Sequence, residues 1–156
     1  MIELRPASRD DASRMARIQV AAVQEQADEY YSKEQLERLA PSNHGPENID
    51  SAVFDLKNRY AIIAECHGDI AGFAVLHLDE GYLSGLFVDP EYTGQGIGTK
   101  LIANIERRAQ EAGIESIETY AALNAVDFYL SCGFNEQEQI NAGESDIPAV
   151  RMDKTV

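Results

Sequence analysis

The chain is predicted to fold as a mixed α/β domain, and three features of the sequence predict it. A hydrophobic run at residues 83–88 passes through glycines at 94, 96 and 98 into an amphipathic helical pattern, a strand–loop–helix unit. Residues 60–65 and 70–78 flank His67-Gly68-Asp69, which reads as a hairpin joining antiparallel strands. No repeat, linker or low-complexity stretch interrupts the 156 residues, so one domain over 1–156 is expected.

In chain order, Ile2–Arg5 reads as a first strand closed by Pro6. Ser8 reads as an N-cap, with Asp10 and Asp11 suited to the first turn of a helix that runs to about residue 24 on Ala12, Met15, Ala16, Ile18, Ala22 and Val23. A second helix over about 32–40 has Ser32 as its cap, Gln35 as capping-box partner and Pro41 as its stop. Residues 42–46 form a loop, and 47–58 are ambiguous, with a helical turn around Ile49–Phe54. After the hairpin and the 83–88 strand comes a helix over 97–112. Its apolar stripe is Ile97, Leu101, Ile102, Ile105, Ala109 and Ala112, and Gly113 is its stop. Residues 114–121 read as a strand, 124–131 as a helix ended by Gly133, and 134–141 and 147–154 as two last strands around a loop containing Gly143.

The net charge of −14, from 13 basic and 27 acidic residues, argues against a nucleic-acid surface, which depends on clustered Lys and Arg. It also resembles the surface chemistry of proteins from a high-salt cytoplasm, an expectation that equal refolding in dilute and molar salt would remove. No stretch of 18 apolar residues suggests a membrane span, and Met1–Pro6 holds no apolar export segment, so a cytoplasmic location is expected. Cys66 and Cys132 are too few for a disulfide framework, and no Cys/His spacing suggests a metal. Cys132 is expected to be a packed residue rather than a nucleophile.

The glycine loop is the most informative stretch. Glycines before a helix start allow close approach of a ligand, and free N–H groups at the positive end of a helix dipole attract anions, typically phosphate. The dinucleotide pattern G-x-G-x-x-G fails, because its third Gly would fall on Thr99 or Leu101. A Walker loop fails because Gly98 is followed by Thr99 and then Lys100, in the wrong order.

Thr93-Gly94-Gln95-Gly96-Ile97-Gly98 resembles the acyl-CoA signature of the GNAT N-acetyltransferases: a Gln or Arg, two residues, Gly, one residue, then Gly or Ala. Thr93 departs from it at the first position. Leu86-Phe-Val-Asp-Pro-Glu-Tyr92 resembles the strand before that loop, and Asn124-Ala-Val-Asp-Phe-Tyr-Leu-Ser-Cys-Gly-Phe134 resembles the second signature of the family, about 30 residues on. The resemblance implies a central, mixed, largely antiparallel sheet flanked by about four helices. It implies transfer of an acetyl group from acetyl-CoA to a primary amine of a small molecule or peptide, with no metal.

Residue by residue, the resemblance places the coenzyme on Thr93, Gly94, Gln95, Gly96, Ile97, Gly98, Thr99 and Lys100, with its diphosphate on the backbone amides of about Gly94 to Thr99. It places the pantetheine arm along Leu86, Phe87 and Val88, with Asn124, Phe128 and Tyr129 on the other side. The N–H of Leu86 would polarise the thioester, and the Tyr129 phenol, with its ordinary value near 10, would donate a proton to the departing thiolate. Asn124 serves as an N-cap, as a partner of the pantetheine amide, or as both. Some family members carry Glu four residues before the polarising amide; here that position is Tyr82. Glu80 alternates onto the face of Tyr82 and Ser84 and is one candidate base; His77 and His44 are others. Lys100, Arg107 and Arg108 are the nearest cations to offset the acidic field against a polyanionic coenzyme. Tyr30 and Tyr31 suit either core packing or recognition of a cationic amine. A non-catalytic acyl-CoA sensor of the same fold is the alternative, and a homodimer is within expectation for the family.

Overall fold

The structure is a computed structural model that describes residues 1–142 and 147–156. The expected Gly143 loop lies outside the described residues. Seven strands form one sheet in the order β1-β2-β3-β4-β5-β7-β6: β1 Ile2–Pro6, β2 Arg59–Cys66, β3 Asp69–His77, β4 Tyr82–Val88, β5 Ser116–Ala122, β6 Asn135–Ala142 and β7 Ile147–Thr155. Every neighbouring pair is antiparallel except β4 and β5. The helices are α1 Ala12–Gln26, α2 Lys33–Leu39, α3 Pro46–Ile49, α4 Ile97–Glu111 and α5 Val126–Ser131. The count is one above expectation because the ambiguous 47–58 stretch holds the single turn α3, which continues into a π-type turn over Asp50–Phe54.

The sheet is covered on both faces, and the strand alternation sorts the core. Ile62, Ala64, Ala74 and Leu76 pack with Leu101, Ile102 and Ile105 of α4. Ala61, Ile63, Phe73 and Val75 pack with Met15, Ala16 and Ile18 of α1. Strands buried on both sides read as continuous apolar runs, as β3 does. A smaller cluster, Ala27, Tyr31, Leu36 and Ile147, seats α2 against β7.

Local signals explain the element ends. His67 and Gly68 have φ of 54° and 79° in a two-residue turn that pairs Cys66 with Asp69, the left-handed pair that a tight hairpin requires. Ser32 Oγ accepts from the Gln35 N–H at 3.1 Å, and Gln35 Oε1 accepts from the Ser32 N–H at 2.9 Å, so the expected capping box caps α2. Ser8 instead caps a 3₁₀ turn, Arg9–Asp11, ahead of α1. Its N–H donates to the Asp11 carboxylate at 2.8 Å, and Asp11 also takes both ends of the Arg5 guanidinium at 2.8 and 2.9 Å.

Two irregularities in β4 open the sheet. Between Val75 and Leu76 the register slips so that Ser84 is an extra residue on β4, a β-bulge. Beyond Leu83, β4 and β5 part: only Tyr82 with Glu118 and Leu83 with Thr119 are paired. The splay leaves a cleft in the middle of the sheet.

Candidate active site

The cleft continues into a cavity of about 660 Å³ between the splayed strands, the start of α4, α5 and the C-terminal half of α1. The bulge determines which backbone groups face it. Before the bulge, the Gly81 carbonyl accepts from the Glu118 N–H at 2.9 Å and the Leu83 carbonyl accepts from Thr119 Oγ1 at 2.8 Å, so odd-numbered residues point to β5. After it, the Asp89 N–H donates to the Ala71 carbonyl at 2.8 Å, so odd-numbered residues point to β3. Leu86 and Val88 therefore turn their N–H and C=O groups away from β3 and into the cleft, where no strand pairs with them.

The strand then ends at Asp89. This buried carboxylate accepts from the Glu91 N–H at 2.9 Å and pairs with Arg14 of α1, which fastens the loop to the opposite layer. Gly94 and Gly96 have φ of 80° and 79° with open space where a Cβ would stand. Gly96 is the residue before α4, and the first N–H with an intrahelical partner is that of Lys100, which donates to the Gly96 carbonyl at 3.1 Å. The N–H groups of Ile97, Gly98 and Thr99 are thus free at the positive end of a 15-residue helix. Gly98 is required for a different reason: a Cβ there would stand 2.9 Å from the Phe128 ring.

Across the cleft, α5 brings up Phe128 and Tyr129, whose rings meet edge-on at 5.3 Å. Tyr129 is buried, and burial raises its phenol well above the ordinary tyrosine value, with the Thr119 hydroxyl opposing the shift in part. The expected ordinary value is corrected accordingly; the group is neutral at any physiological pH. Asn124 lies in a 3₁₀ turn ahead of α5 and caps nothing, so its expected N-cap role is not realised: the helix starts two residues later, after Ala125. Its Oδ1 is buried on the cavity wall without a hydrogen-bond partner. Such an orphan acceptor is costly unless a ligand N–H satisfies it.

Leu86, Phe87, Val88, Thr93, Gly94, Gly96, Ile97, Gly98, Thr99, Asn124, Phe128 and Tyr129 all line the cavity, whereas Gln95, Lys100 and Glu80 do not. Gln95 Oε1 accepts from Cys66 Sγ at 3.7 Å. Lys100 and Arg107 flank a separate hollow of about 210 Å³ beside Ile2 and Leu4. Arg108 stacks on the Tyr60 ring at 5.5 Å. None of the three cations therefore lines the cavity, and its anion-seeking groups are main-chain N–H groups. Glu80 is in the turn before β4, where Gly81 has φ 66°, and it is exposed; strand alternation does not extend to it. His77 packs edge-on against Tyr82 at 5.0 Å, and His44 is bonded to Gln19 at 3.2 Å. Burial lowers both imidazoles below the ordinary value. Burial likewise raises the Cys132 thiol, which lies off the cavity, in keeping with a packed residue.

Sequence reasoning missed Tyr31 as a brace. Its hydroxyl donates to the Pro148 carbonyl at 2.6 Å and accepts from the Leu123 N–H at 2.9 Å, so it ties the turn between α1 and α2 to β7 and to the segment after β5. Tyr30, beside it, is exposed. Nothing local in the sequence marks these partners, which lie about 90 and 120 residues away.

A family model for the acetyltransferase (GNAT) domain matches residues 27–156. The chain belongs to the GNAT acetyltransferase family. A GCN5-related N-acetyltransferase from Rhodopseudomonas palustris superposes with a TM-score of 0.88 at 27% identity, covering 99% of this chain and 95% of that one. The PaiA N-acetyltransferase of Thermoplasma acidophilum, solved with coenzyme A, has a TM-score of 0.79 at 23% identity over 100% of this chain and 99% of that one. The aminoglycoside N(6')-acetyltransferase type 1 of Stenotrophomonas maltophilia is 25% identical over 60% of this chain and 71% of its own length. The chain spans about half or less of the length of several other curated relatives it matches. Among the described residues no cluster of metal-ligating side chains occurs, and no helix is long and apolar enough to cross a membrane.

Proposed function

We propose that this GNAT protein transfers an acetyl group from acetyl-CoA to a primary amine of a small molecule or peptide, by direct attack while both are bound. The observation that carries the reading is the turn of the Leu86 and Val88 amides into a cleft that ends on the free amides of the glycine loop. Acetyl-CoA supplies an activated thioester; the chain supplies the groups that hold and polarise it. The N–H groups of Gly94 to Thr99 hold the diphosphate. Val88 pairs strand-like with the pantetheine arm, and the orphan Asn124 Oδ1 accepts from a pantetheine amide. The Leu86 N–H is aimed at the thioester oxygen, where negative charge develops.

The bond changes balance simply. A C–N bond forms, the C–S bond breaks, the amine gives one proton to water, the thiolate takes one from Tyr129, and Tyr129 regains a proton from water. Burial keeps the Tyr129 phenol protonated at neutral pH, so the group holds a proton to give. Glu80, outside the cavity, has no direct path to the amine in this reading, and the amine proton leaves to water. The reading extends to this chain the coenzyme of the Thermoplasma neighbour and the transferase class of its relatives.

Calorimetry with acetyl-CoA and thiol release with an amine panel test the proposal. Binding followed by amine-dependent thiol release is expected; binding without turnover on a broad panel would favour the sensor alternative. Tyr129→Phe is expected to lower turnover about tenfold or more while leaving coenzyme affinity unchanged. An unchanged rate removes Tyr129 from the mechanism.

A further inference from the structure

A polyanionic coenzyme has to settle on a chain of net charge −14, and two carboxylates stand close to the loop that receives it. Asp89 is the residue after Val88, and Asp69 of the β2–β3 hairpin accepts from the Tyr92 hydroxyl at 3.0 Å. Val88 and Tyr92 both line the cavity, so each carboxylate is one residue or one hydrogen bond behind its wall. One guanidinium serves the two. Arg14 of α1 pairs with Asp89 and lies 3.7 Å from Asp69, and the same nitrogen donates to the Ile70 carbonyl at 3.1 Å. Among the described residues neither carboxylate has another ion-pair partner.

The shape of the loop does not need these charges. Asp89 turns the corner by accepting from the Glu91 N–H at 2.9 Å, while its carbonyl accepts from the Tyr92 N–H at 2.8 Å; a neutral amide oxygen would serve as well. The charge on buried Asp89 therefore has a consequence of its own. Unpaired, it is costly to bury, and it sets a negative potential beside the free N–H groups at the start of α4.

Resting on the placement of the coenzyme diphosphate at the Gly94–Thr99 amides, we infer that Arg14 is a positioning residue for coenzyme binding that works by charge. It neutralises Asp69 and Asp89 together, so the loop amides meet a polyanion without two negative charges behind them. Arg14 is not on the cavity wall and acts through the carboxylates it holds. It supplies the electrostatic relief that Lys100, Arg107 and Arg108, all off the cavity, do not.

The test is calorimetry of acetyl-CoA on the full chain at about 0.1 and 1 M NaCl, between which the screening length falls from about 10 to about 3 Å. Arg14→Met is expected to weaken binding about tenfold or more relative to the parent in the dilute salt, and about threefold or less in the concentrated one. Adding Asp89→Asn to it should restore most of the loss, because the amide still accepts from the Glu91 N–H but carries no charge. Asp69→Asn alone keeps Arg14 and an acceptor for Tyr92, and should tighten binding about threefold in dilute salt only. Asp69 is half-exposed, so that variant decides the matter if Arg14→Met does not fold. A loss equal in both salts and unrelieved by Asp89→Asn would make Arg14 a mechanical brace and overturns the inference. So does parental affinity for Asp69→Asn in dilute salt. No binding heat from the parent overturns the placement of the coenzyme and this inference with it, whereas parental binding with unaltered variants overturns the inference alone.

Discussion

The two ends of the cavity are made from different parts of the polypeptide. At the loop end the chain presents main-chain atoms: the amides of Leu86 and Val88, then the free N–H groups at the start of α4. At the α1 end it presents side chains, from Val23 to Ile147, held in place by the Tyr31 hydroxyl. Main-chain donors are indifferent to side-chain identity but depend on register and on where glycines stand. A side-chain wall has the opposite dependence. The contrast teaches why one end carries a family signature and the other carries none.

The comparison breaks most visibly at Leu86. Because its N–H points into the cleft and not at β3, Leu86→Pro is expected to fold, with a melting temperature close to that of Leu86→Ala, since both lose the side chain's packing on the core. Thiol release should nonetheless fall about 100-fold or more, the usual cost of a lost charge-stabilising donor. Leu86→Ala should retain most activity. Equal losses in the two variants would show that the side chain matters after all. A smaller effect is expected at Gly98, where a side chain collides with Phe128. Gly98→Val should weaken coenzyme binding by calorimetry about 10- to 100-fold.

At the α1 end the readout shifts from chemistry to stability. Tyr31→Phe leaves the Leu123 N–H and the Pro148 carbonyl without their partner, at a cost of about 1–3 kcal/mol, which lowers the melting temperature about 2–4 °C per kcal/mol. KM for the amine should rise with little change in coenzyme affinity; the reverse pattern would place the brace at the wrong end.

The smallest effect lies away from both ends, at Asp11. The Arg5 guanidinium holds its carboxyl below the usual carboxylate value, so its stabilisation is present above the unfolded-state value of 3.8 and is lost as pH falls through the lower folded-state value. Asp11→Asn should cost about 1 kcal/mol at neutral pH, discounted for a partly exposed partner. The gap between variant and parent in acid-unfolding curves should close below about pH 4.

Much of the fold and of the loop end is legible in sequence, and the misses share a cause. Patterns acting within a few residues come through: the His67-Gly68 turn, the Ser32/Gln35 capping box, the Gly113 stop and the two signatures. What fails needs either a distant partner or a shift of register. Arg14 meets Asp89 across 75 positions, and Tyr31 meets Pro148 across 117. Alternation counted back from Tyr82 puts Glu80 on a strand that has not yet begun, and nothing in Leu83-Ser84-Gly85 announces that Ser84 is surplus to the pairing. Asn124 looks like a cap only because the sequence pattern starts the helix two residues early.

The surplus Ser84 has a genetic corollary. Ser84 and Gly85 stand together opposite Val75, so deleting the Ser84 codon would restore an even ladder with the Leu86 N–H still turned to the cleft, whereas deleting one codon from 86 to 88 would turn the peptide groups that follow to the opposite side. A change of length is therefore tolerated at the bulge and not beyond it.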